Sequence, residues 1–443
     1  MIGSIASRSF PKPVGRQWRP AGFAILLAGA LLTMAPMEPA SAASAAVSEE
    51  TRSYASPRWI TAADDRAALR LIELLETSGL DGLDPKNFKI KSLKRAVSAA
   101  AGGKVGAVAK ANAALDRALI AYVTALRQVP TSDWIINDQE VISSAPSPAV
   151  LLRQAAAAPS LATWIEAMPF MHHSYAELRA ALEQAQASGD NHSADLLRIN
   201  LQRARFLPAE GRYILVNIAA QRLYMYEAGQ AVGEMKVVVG KQKNPTPMMA
   251  ATIKFTALNP YWYVPPDLTA ERIAPYVIKE GVGYLRQHGY VVLSNWANNP
   301  EQVDPETIDW QAVADGRTNI WIRQNPGPHN SMGRMKFMFP NAQGIYLHDT
   351  PNKELLNEDA RLFSGGCVRL EDASRLAQWL HGRPLNPKEA GTEQAVRLDE
   401  PVPVYLAYLT AVPTGDRVQF FNDIYGKDQL QLAAFGKGRI AAR

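Results

Sequence analysis

The 443-residue sequence contains one cysteine, Cys367, within the glycine-rich segment Ser364-Gly365-Gly366-Cys367-Val368-Arg369. Glycines before a cysteine let the backbone adopt positive φ and approach a ligand closely, and such a turn can direct N–H groups at a developing oxyanion. His348 lies 19 residues upstream, at the end of an apolar segment. A thiol needs a nearby base to be an efficient nucleophile near neutral pH, and imidazole is the usual choice. Cys367 and His348 are therefore a candidate nucleophile and base.

The surroundings of the cysteine allow two interpretations. Arg369 follows Cys367 by two residues, where its cation could lower the thiol pKa or hold a substrate carboxylate. Alternatively, Cys367 is a small buried hydrophobic residue and His348 a hydrogen-bonded residue at a strand end. Export of the protein would favour a catalytic role, because an unpaired thiol is exposed to oxidation outside the cytoplasm.

The first 42 residues predict export. A basic stretch precedes an apolar run from Phe23 to Ala35, and Ala40-Ser41-Ala42 then supplies an A-x-A pattern. This is the layout of a secretory signal peptide, with cleavage expected after Ala42. The apolar run is shorter than the ~20 residues that span a bilayer, so an uncleaved anchor is the alternative. We expect no stable membrane insertion after signal cleavage.

Length and composition exclude several classes of protein. A chain of 443 residues is longer than the ~250–300 residues that one core usually serves, so two or more domains are expected. A hydrophobic fraction of 47% and a charged fraction of 20% are inconsistent with a disordered chain or a collagen. The single cysteine excludes an intramolecular disulfide framework and multi-cysteine metal sites. Most of the net charge of +5 lies in the signal peptide, so no nucleic-acid partner is expected.

The hydrophobic periodicity divides the remaining chain into a helical part and a strand-rich part. Between Ser48 and Pro208 the pattern is mainly helical, and the clearest apolar face is formed by Leu115, Leu119, Tyr122, Val123 and Leu126. After Pro208 the residues alternate with the period of a strand, in Tyr213–Ile218, Leu223–Tyr226, Met235–Val239 and Thr252–Leu258. Segregated halves of this kind predict an α+β fold.

Residues 265–334 interrupt the strand-rich part. The segment is rich in Pro, Asn and Gly, and it contains one predicted helix, Ala270–Val277, and one predicted strand, Tyr290–Leu293. A long excursion inside a β domain is more often a lid or a binding surface than a plain connection. We therefore expect an inserted lid or capping subdomain.

Several motifs in this order resemble the L,D-transpeptidases with a YkuD-type catalytic domain, in particular their large periplasmic (YcbB-like) branch. The active-site signature is matched by Tyr346-Leu347-His348-Asp349-Thr350-Pro351 together with the cysteine segment. Further matches are Asn200-Leu201-Gln202-Arg203, Asn259-Pro260-Tyr261-Trp262, Val264-Pro265-Pro266, Asn325-Pro326-Gly327-Pro328, Gly333-Arg334-Met335-Lys336-Phe337 and Asp423-Ile424-Tyr425-Gly426. The resemblance covers about Asn200 to Asp428 strongly and the N-terminal helices more weakly.

The resemblance implies roles for individual residues. Cys367 matches the nucleophile and His348 the general base and later acid. Ser364, Gly366 and Arg369 match the turn that orders the cysteine and its oxyanion site, and Gly365 is a further candidate for support of that turn. Tyr346 matches an aromatic position beside the base. Trp262, Tyr261 and Arg323 are further candidates for substrate contact. In this family a backbone carbonyl usually orients the histidine, so Asp349 is not assigned the aspartate role of a protease triad.

The implied fold is a helical scaffold followed by a mostly β, β-sandwich-like catalytic domain. We divide the chain into a signal peptide (1–42), a scaffold (43–208) and a catalytic domain (209–443), which includes the insertion and a C-terminal extension (395–443). The implied substrates are peptidoglycan stem peptides, which act as acyl donor and acyl acceptor. The implied compartment is the periplasm. We expect the reaction to need no cofactor and no metal.

The sequence departs from the family pattern in two places. Many members have histidine where this chain has Gly365, and the periplasmic branch often carries a wall-binding module for which Gln184 to Asn200 leaves no room. The sequence leaves open whether the acyl acceptor is a stem peptide, water or a protein amine, and whether the protein is instead a non-catalytic wall-binding protein.

Overall fold

The structure, a computed structural model, describes residues 56–441 except 62–64, 103, 129–132, 298, 389–390 and 416. The predicted signal peptide lies outside the described residues. Within these ranges, no helix has both the length and the apolar character needed to cross a membrane.

The N-terminal part is helical, as predicted. Its helices are α1 (Arg66–Glu76), α2 (Ile90–Ala101), α3 (Ala107–Arg127), α4 (Pro148–Ala157), α5 (Leu161–Ala167), α6 (Tyr175–Ser188) and α7 (Asn191–Ala204). The predicted apolar face of α3 is confirmed, because all five of its residues are fully buried in the scaffold core. Helix α6 passes directly into α7 through Gly189, whose φ of +76° suits a left-handed turn, and Asp190, which caps α7.

The C-terminal part is mostly β. Its strands, with a short one from the scaffold side, are β1 (Ile135–Ile136), β2 (Tyr213–Asn217), β3 (Arg222–Glu227), β4 (Gln230–Gly240), β5 (Met249–Leu258), β6 (Trp262–Val264), β7 (Tyr290–Leu293), β8 (Trp321–Gln324), β9 (Met335–Met338), β10 (Leu347–His348), β11 (Leu362–Ser364), β12 (Val368–Leu370), β13 (Gln394–Ala407), β14 (Ala411–Thr414) and β15 (Arg417–Phe420). The α+β prediction is confirmed.

The main sheet closes on itself. Its order is β5-β13-β2-β3-β4-β12-β10-β9, and β9 pairs again with β5; β1 pairs with β5, and β11 with β4. The sandwich-like layers implied by the resemblance are thus joined into one sheet. Strand β13 belongs to the range predicted as a C-terminal extension, yet it lies inside this sheet between β5 and β2.

The insertion has its own small sheet and core. Strands β6, β8 and β7 pair in that order, and they pack with α8 (Pro266–Arg272), α9 (Ala274–Glu280), α10 (Gly283–Gln287) and α11 (Trp310–Ala314). The predicted strand Tyr290–Leu293 is confirmed, but the single predicted helix Ala270–Val277 is wrong. The chain forms two helices that meet at Ile273, because Pro275 has no N–H with which to continue the first.

Two helices complete the fold. Helix α12 (Ala373–His381) packs its apolar face on the main sheet, and α13 (Lys427–Ala441) follows the last strand. The domain boundaries assigned from the sequence stay a prediction.

Candidate active site

Two short parallel strands bring the predicted nucleophile and base together. Strands β10 and β12 pair with His348 opposite Arg369 and Leu347 opposite Val368. Alternate residues of a strand share one face, so Tyr346 and His348 lie on the same face as Cys367 and Arg369. Residues that are far apart in the chain thus become neighbours on one side of the sheet.

The turn before Cys367 is held by its own side chains. The Ser364 hydroxyl donates to the carbonyl of Cys367 at 2.6 Å and accepts from the N–H of Gly366 at 3.0 Å. Gly366 has φ of +116°, and a Cβ there would lie 3.0 Å from Cδ1 of Ile345. The positive φ therefore favours glycine at this position, and an alanine would also require the end of the Ile345 side chain to move.

A buried threonine from another loop supports the same turn. The Thr246 hydroxyl donates to the carbonyl of Gly366 at 2.7 Å and accepts from the N–H of Gly240 at 2.9 Å. Tyr425, near the C-terminus, donates to the carbonyl of Gly240 and accepts from the N–H of Thr246. Four segments of the chain therefore fix the peptide that precedes the cysteine.

The backbone orients His348. Its Nδ1 lies 2.5 Å from the carbonyl oxygen of Asp349, so Nδ1 carries the proton and Nε2 is left as an acceptor. The Asp349 carboxylate instead accepts from Lys353 Nζ at 2.8 Å and from the N–H of Arg334 at 2.9 Å. Burial lowers the pKa of His348 to about 3, and the nearby charges of Arg369 and Lys336 act in the same direction. The imidazole is therefore neutral at neutral pH.

The thiol of Cys367 is partly exposed and donates to the carbonyl of Gly344 at 3.5 Å. Desolvation raises its pKa above the ordinary value, while a hydrogen bond from the N–H of Tyr346 and the charges of Lys336 and Arg369 oppose that rise. Lys336 lies opposite His348 on β9, with Nζ 3.7 Å from the centre of the Tyr346 ring. The resting pair is therefore a neutral thiol and a neutral imidazole.

A cavity of about 440 Å³ opens above these residues. It is lined by seven of the predicted site residues, namely Trp262, Tyr346, His348, Ser364, Gly365, Cys367 and Arg369. The insertion supplies much of the opposite wall, including Pro265, Pro266, Leu268, Arg272 and Trp296, and Tyr263 of the preceding strand β6 also lines it. The catalytic sheet and the insertion thus enclose the site together.

Two predicted substrate contacts lie outside this cavity. Tyr261 and Arg323 are absent from its lining, and they contact each other instead, with the guanidinium carbon 4.4 Å from the centre of the tyrosine ring. Trp262, the first residue of β6, does line the cavity.

Sequence reasoning missed three residues at the site. Leu268 occupies the space beside Gly365, since a Cβ at residue 365 would lie 3.1 Å from its Cδ1. Arg272 lines the cavity, and Thr246 supports the turn. Pro266 at the first position of α8 is typical of a helix start, but the place of Leu268 and Arg272 at the cavity depends on how the insertion packs on the main sheet.

The described residues contain no cluster of three or more His, Cys, Asp or Glu side chains placed to hold a metal ion.

Comparisons with known proteins place the chain in a family. Residues 211–418 match the model of the L,D-transpeptidase catalytic domain (YkuD), and residues 50–182 match the model of a scaffold domain. A curated relative from Haemophilus influenzae, named "Putative L,D-transpeptidase", is 30% identical over 396 residues, which cover 86% of this chain and 78% of the relative.

Solved structures give weaker similarities. One, titled the Ldtfm-avibactam carbamoyl enzyme, is 13% identical with a TM-score of 0.23, covering 45% of this chain and 51% of that one. An L,D-transpeptidase from Mycobacterium smegmatis is 15% identical with a TM-score of 0.22, covering 44% and 58%. The chain therefore spans little more than half the length of these structures. On the domain match and the curated relative, the chain belongs to the L,D-transpeptidase family.

Proposed function

We propose that the protein is a cysteine-dependent L,D-transpeptidase that acts on peptidoglycan tetrapeptide stems and forms 3→3 diaminopimelate cross-links. One observation carries the proposal: Cys367, directly before β12, and His348, on the adjacent parallel strand β10, line one cavity, and the imidazole Nδ1 is bound to the Asp349 carbonyl. This leaves Nε2 as the acceptor for a proton.

In the first step Cys367 Sγ attacks the carbonyl of the third stem residue. His348 takes the thiol proton as the C–S bond forms, because the resting thiol and imidazole are both neutral. The C–N bond to the fourth residue then breaks, His348 returns the proton to the departing D-alanine amine, and a thioester remains. Ser364 and Gly366 support the turn, since the Gly366 N–H is already bound to Ser364.

In the second step an amine of another stem attacks the thioester. His348 accepts the amine proton, the C–S bond breaks, and the thiol is regenerated while a new amide bond forms. Both steps exchange one acyl bond for another, so no cofactor is needed. N–H donors of the cysteine turn would stabilise the oxyanion of each tetrahedral intermediate.

The same acyl-enzyme could be resolved by water or by a protein amine, giving a carboxypeptidase or an attachment enzyme. A non-catalytic wall-binding protein is disfavoured by the retention of both His348 and Cys367 in one cavity. The proposed compartment is the periplasm, reached by cleavage of the signal peptide after Ala42.

The decisive experiment incubates purified tetrapeptide muropeptides with the wild type and with Cys367→Ala, and identifies products by mass spectrometry. We expect diaminopimelate–diaminopimelate dimers with the wild type and none with the variant. Tripeptide alone would indicate water as acceptor, and undiminished dimers from Cys367→Ala would refute the assignment. A carbapenem should also acylate Cys367, as the family resemblance implies, and intact-mass measurement would detect that adduct.

A further inference from the structure

We propose that Arg272 and Arg369 together bind a carboxylate of the stem peptide. The proposal rests on the function proposed above and adds a recognition site to it. Arg272 ends α8 in the insertion, and Arg369 lies on β12 beside the nucleophile. The two guanidinium groups therefore approach one place from two different parts of the fold.

Both arginines line two cavities. One is the active-site cavity, and the other, which we call the second cavity, has a volume of about 280 Å³. Its polar lining includes His288, Gln324, His329 and Thr350 besides the two arginines. The arginine pair therefore forms part of the wall that the two cavities share, within reach of a substrate held at Cys367.

The charges at this wall are not balanced by acidic residues. Neither arginine makes an ion pair with a carboxylate in the part of the chain that the structure describes. No Asp or Glu lines the second cavity among the described residues, and the active-site cavity is lined by one, the exposed Asp267. Two cations held together without an anion repel each other, so a bound anion would relieve an unfavourable arrangement.

The hydrogen-bond donors of the pair are also incompletely used. Arg272 donates to the carbonyl of Phe363 at 3.3 Å, and Nε of Arg369 is buried without a partner among the described residues. A buried donor without an acceptor is unfavourable. The Coulombic repulsion of Arg272 also contributes to lowering the pKa of Arg369, after the larger effect of burial.

A carboxylate suits these groups better than a neutral ligand. Guanidinium groups present parallel N–H donors that match the two oxygens of a carboxylate. His288 and His329 lie close to each other at the second cavity, with ring centres 6.0 Å apart, and Gln324 holds the loops by donating to both backbone carbonyls. The cavity wall is therefore cationic and fixed in shape.

The stem peptides offer two sources of such a carboxylate. One is the terminal carboxylate of the donor, next to the bond that breaks, and the other is a carboxylate of the acceptor stem. Either would connect the insertion to the catalytic turn through the arginine pair. The insertion would then select stems by charge and not only by shape.

The test compares Arg272→Gln with the matched control Arg286→Gln in the full chain. Arg286 is an exposed arginine of the same insertion and lines neither cavity. Initial rates of thioester and dimer formation are measured with normal tetrapeptide, with donor amidated at its terminal carboxyl, and with acceptor amidated at its diaminopimelate carboxyl. We expect Arg272→Gln to raise the KM for the normal carboxylate substrate roughly tenfold to a hundredfold, and the control to leave it unchanged.

In the wild type, amidation of the carboxylate that the arginines bind should raise the KM by the same factor. In Arg272→Gln the same amidation should change the KM little. If only donor amidation raises the KM of the wild type, the terminal carboxylate of the donor is the ligand. If only acceptor amidation raises it, the diaminopimelate carboxylate of the acceptor is the ligand. If Arg272→Gln and the wild type discriminate equally between carboxylate and amide, the arginine site is refuted while the transpeptidase function stands.

If the wild type forms neither thioester nor dimer, the proposed function fails and calorimetry decides the binding site separately. Unreacted tetrapeptide is titrated into Cys367→Ala with and without Arg272→Gln. The site is supported if the carboxylate form binds the double variant more weakly than Cys367→Ala while the amidated form binds both proteins equally. It is refuted if the carboxylate form also binds both proteins equally.

Discussion

The imidazole Nδ1 of His348 lies 2.5 Å from the carbonyl oxygen of the next residue, Asp349, whose carboxylate contacts Lys353 and the N–H of Arg334. The histidine is thus held by a peptide group that mutation of the Asp349 side chain leaves in place. We expect Asp349→Asn to change the rate of Cys367 acylation by less than about tenfold, whereas loss of a true triad aspartate costs about 10⁴-fold. Single-turnover acylation by a carbapenem, followed by intact mass, measures this.

The control for that experiment is His348→Gln, which removes the acceptor nitrogen. It should reduce acylation by at least about a hundredfold, within the range for general acid–base catalysis. A loss of equal size in Asp349→Asn would show that the carboxylate, and not the carbonyl, is the orienting group.

The Thr246 hydroxyl connects Gly240 to Gly366 within the buried interior. Thr246→Val keeps the shape but leaves a buried N–H and a buried carbonyl without a partner, each at a cost of about 1–3 kcal/mol. We expect a loss of about 2 kcal/mol or more in the free energy of unfolding and at least about tenfold slower acylation. Thr246→Ser retains the hydroxyl and should keep most of the stability and most of the acylation rate. An unaffected acylation rate in Thr246→Val would show that this support does not position Cys367.

Local patterns in the sequence predicted the reactive residues better than the residues that hold them in place. The face of α3 through Leu115 and Tyr122 was predictable because helical periodicity and burial coincide there. The pairing of His348 with Cys367 was indicated by residue type and by family resemblance. Thr246 and Tyr425 meet only because distant segments pack together, and no local pattern encodes their contact.

In the insertion, too, local sequence patterns do not predict which side chains reach the site. Residues Ala270–Val277 are apolar at helical spacing, but Pro275 divides them, and the helices then turn to place Leu268 and Arg272 at the cavity. Side chains at the edge of an inserted subdomain are positioned by its packing on the main sheet. Their roles therefore emerge from the tertiary structure alone.

Lys336 is, with Arg369, a cation that acts on the nucleophile. Its charge favours the thiolate and therefore holds the pKa of Cys367 below the value that burial alone would give. Lys336→Met should raise that pKa, so iodoacetamide should react with the Cys367 thiol at least about threefold more slowly at pH 8. Lys279→Met removes an exposed lysine of the insertion and should leave the rate-against-pH curve unchanged. A curve that does not move, or that moves to lower pH, in Lys336→Met contradicts this role.

The two glycines before Cys367 have different backbone requirements. A Cβ would meet a side-chain end at a similar distance in both, Ile345 at 3.0 Å from Gly366 and Leu268 at 3.1 Å from Gly365, but only Gly366 has a positive φ, of +116°. Gly366→Ala should therefore cost about 1–3 kcal/mol of stability and slow acylation at least about tenfold. Gly365→Ala should stay within about threefold of the wild type, and Leu268→Ala should restore any loss. Equal losses in the two alanine variants would contradict the backbone argument.

Buried histidines should make the fold sensitive to mild acid. Burial lowers the pKa of His348 to about 3 and that of His172 far below its ordinary value, while unfolded histidine binds a proton near pH 6.5. The unfolded state therefore takes up protons first, so the stabilising contribution is complete above pH 6.5 and is lost as pH falls. Each such histidine should remove about 1.4 kcal/mol per pH unit below 6.5, for His348 until about pH 3.

Urea titrations at pH 7, 6 and 5 measure this slope above the range in which most carboxylates titrate. His348→Asn removes one titrating group, so its stability should decline less steeply than that of the wild type, whatever its stability at pH 7. His192→Asn, at an exposed histidine on α7, should decline as steeply as the wild type. A slope in His348→Asn equal to the wild-type slope would mean that the folded protein does not lower the pKa of His348, and would contradict its burial as a neutral imidazole down to about pH 3.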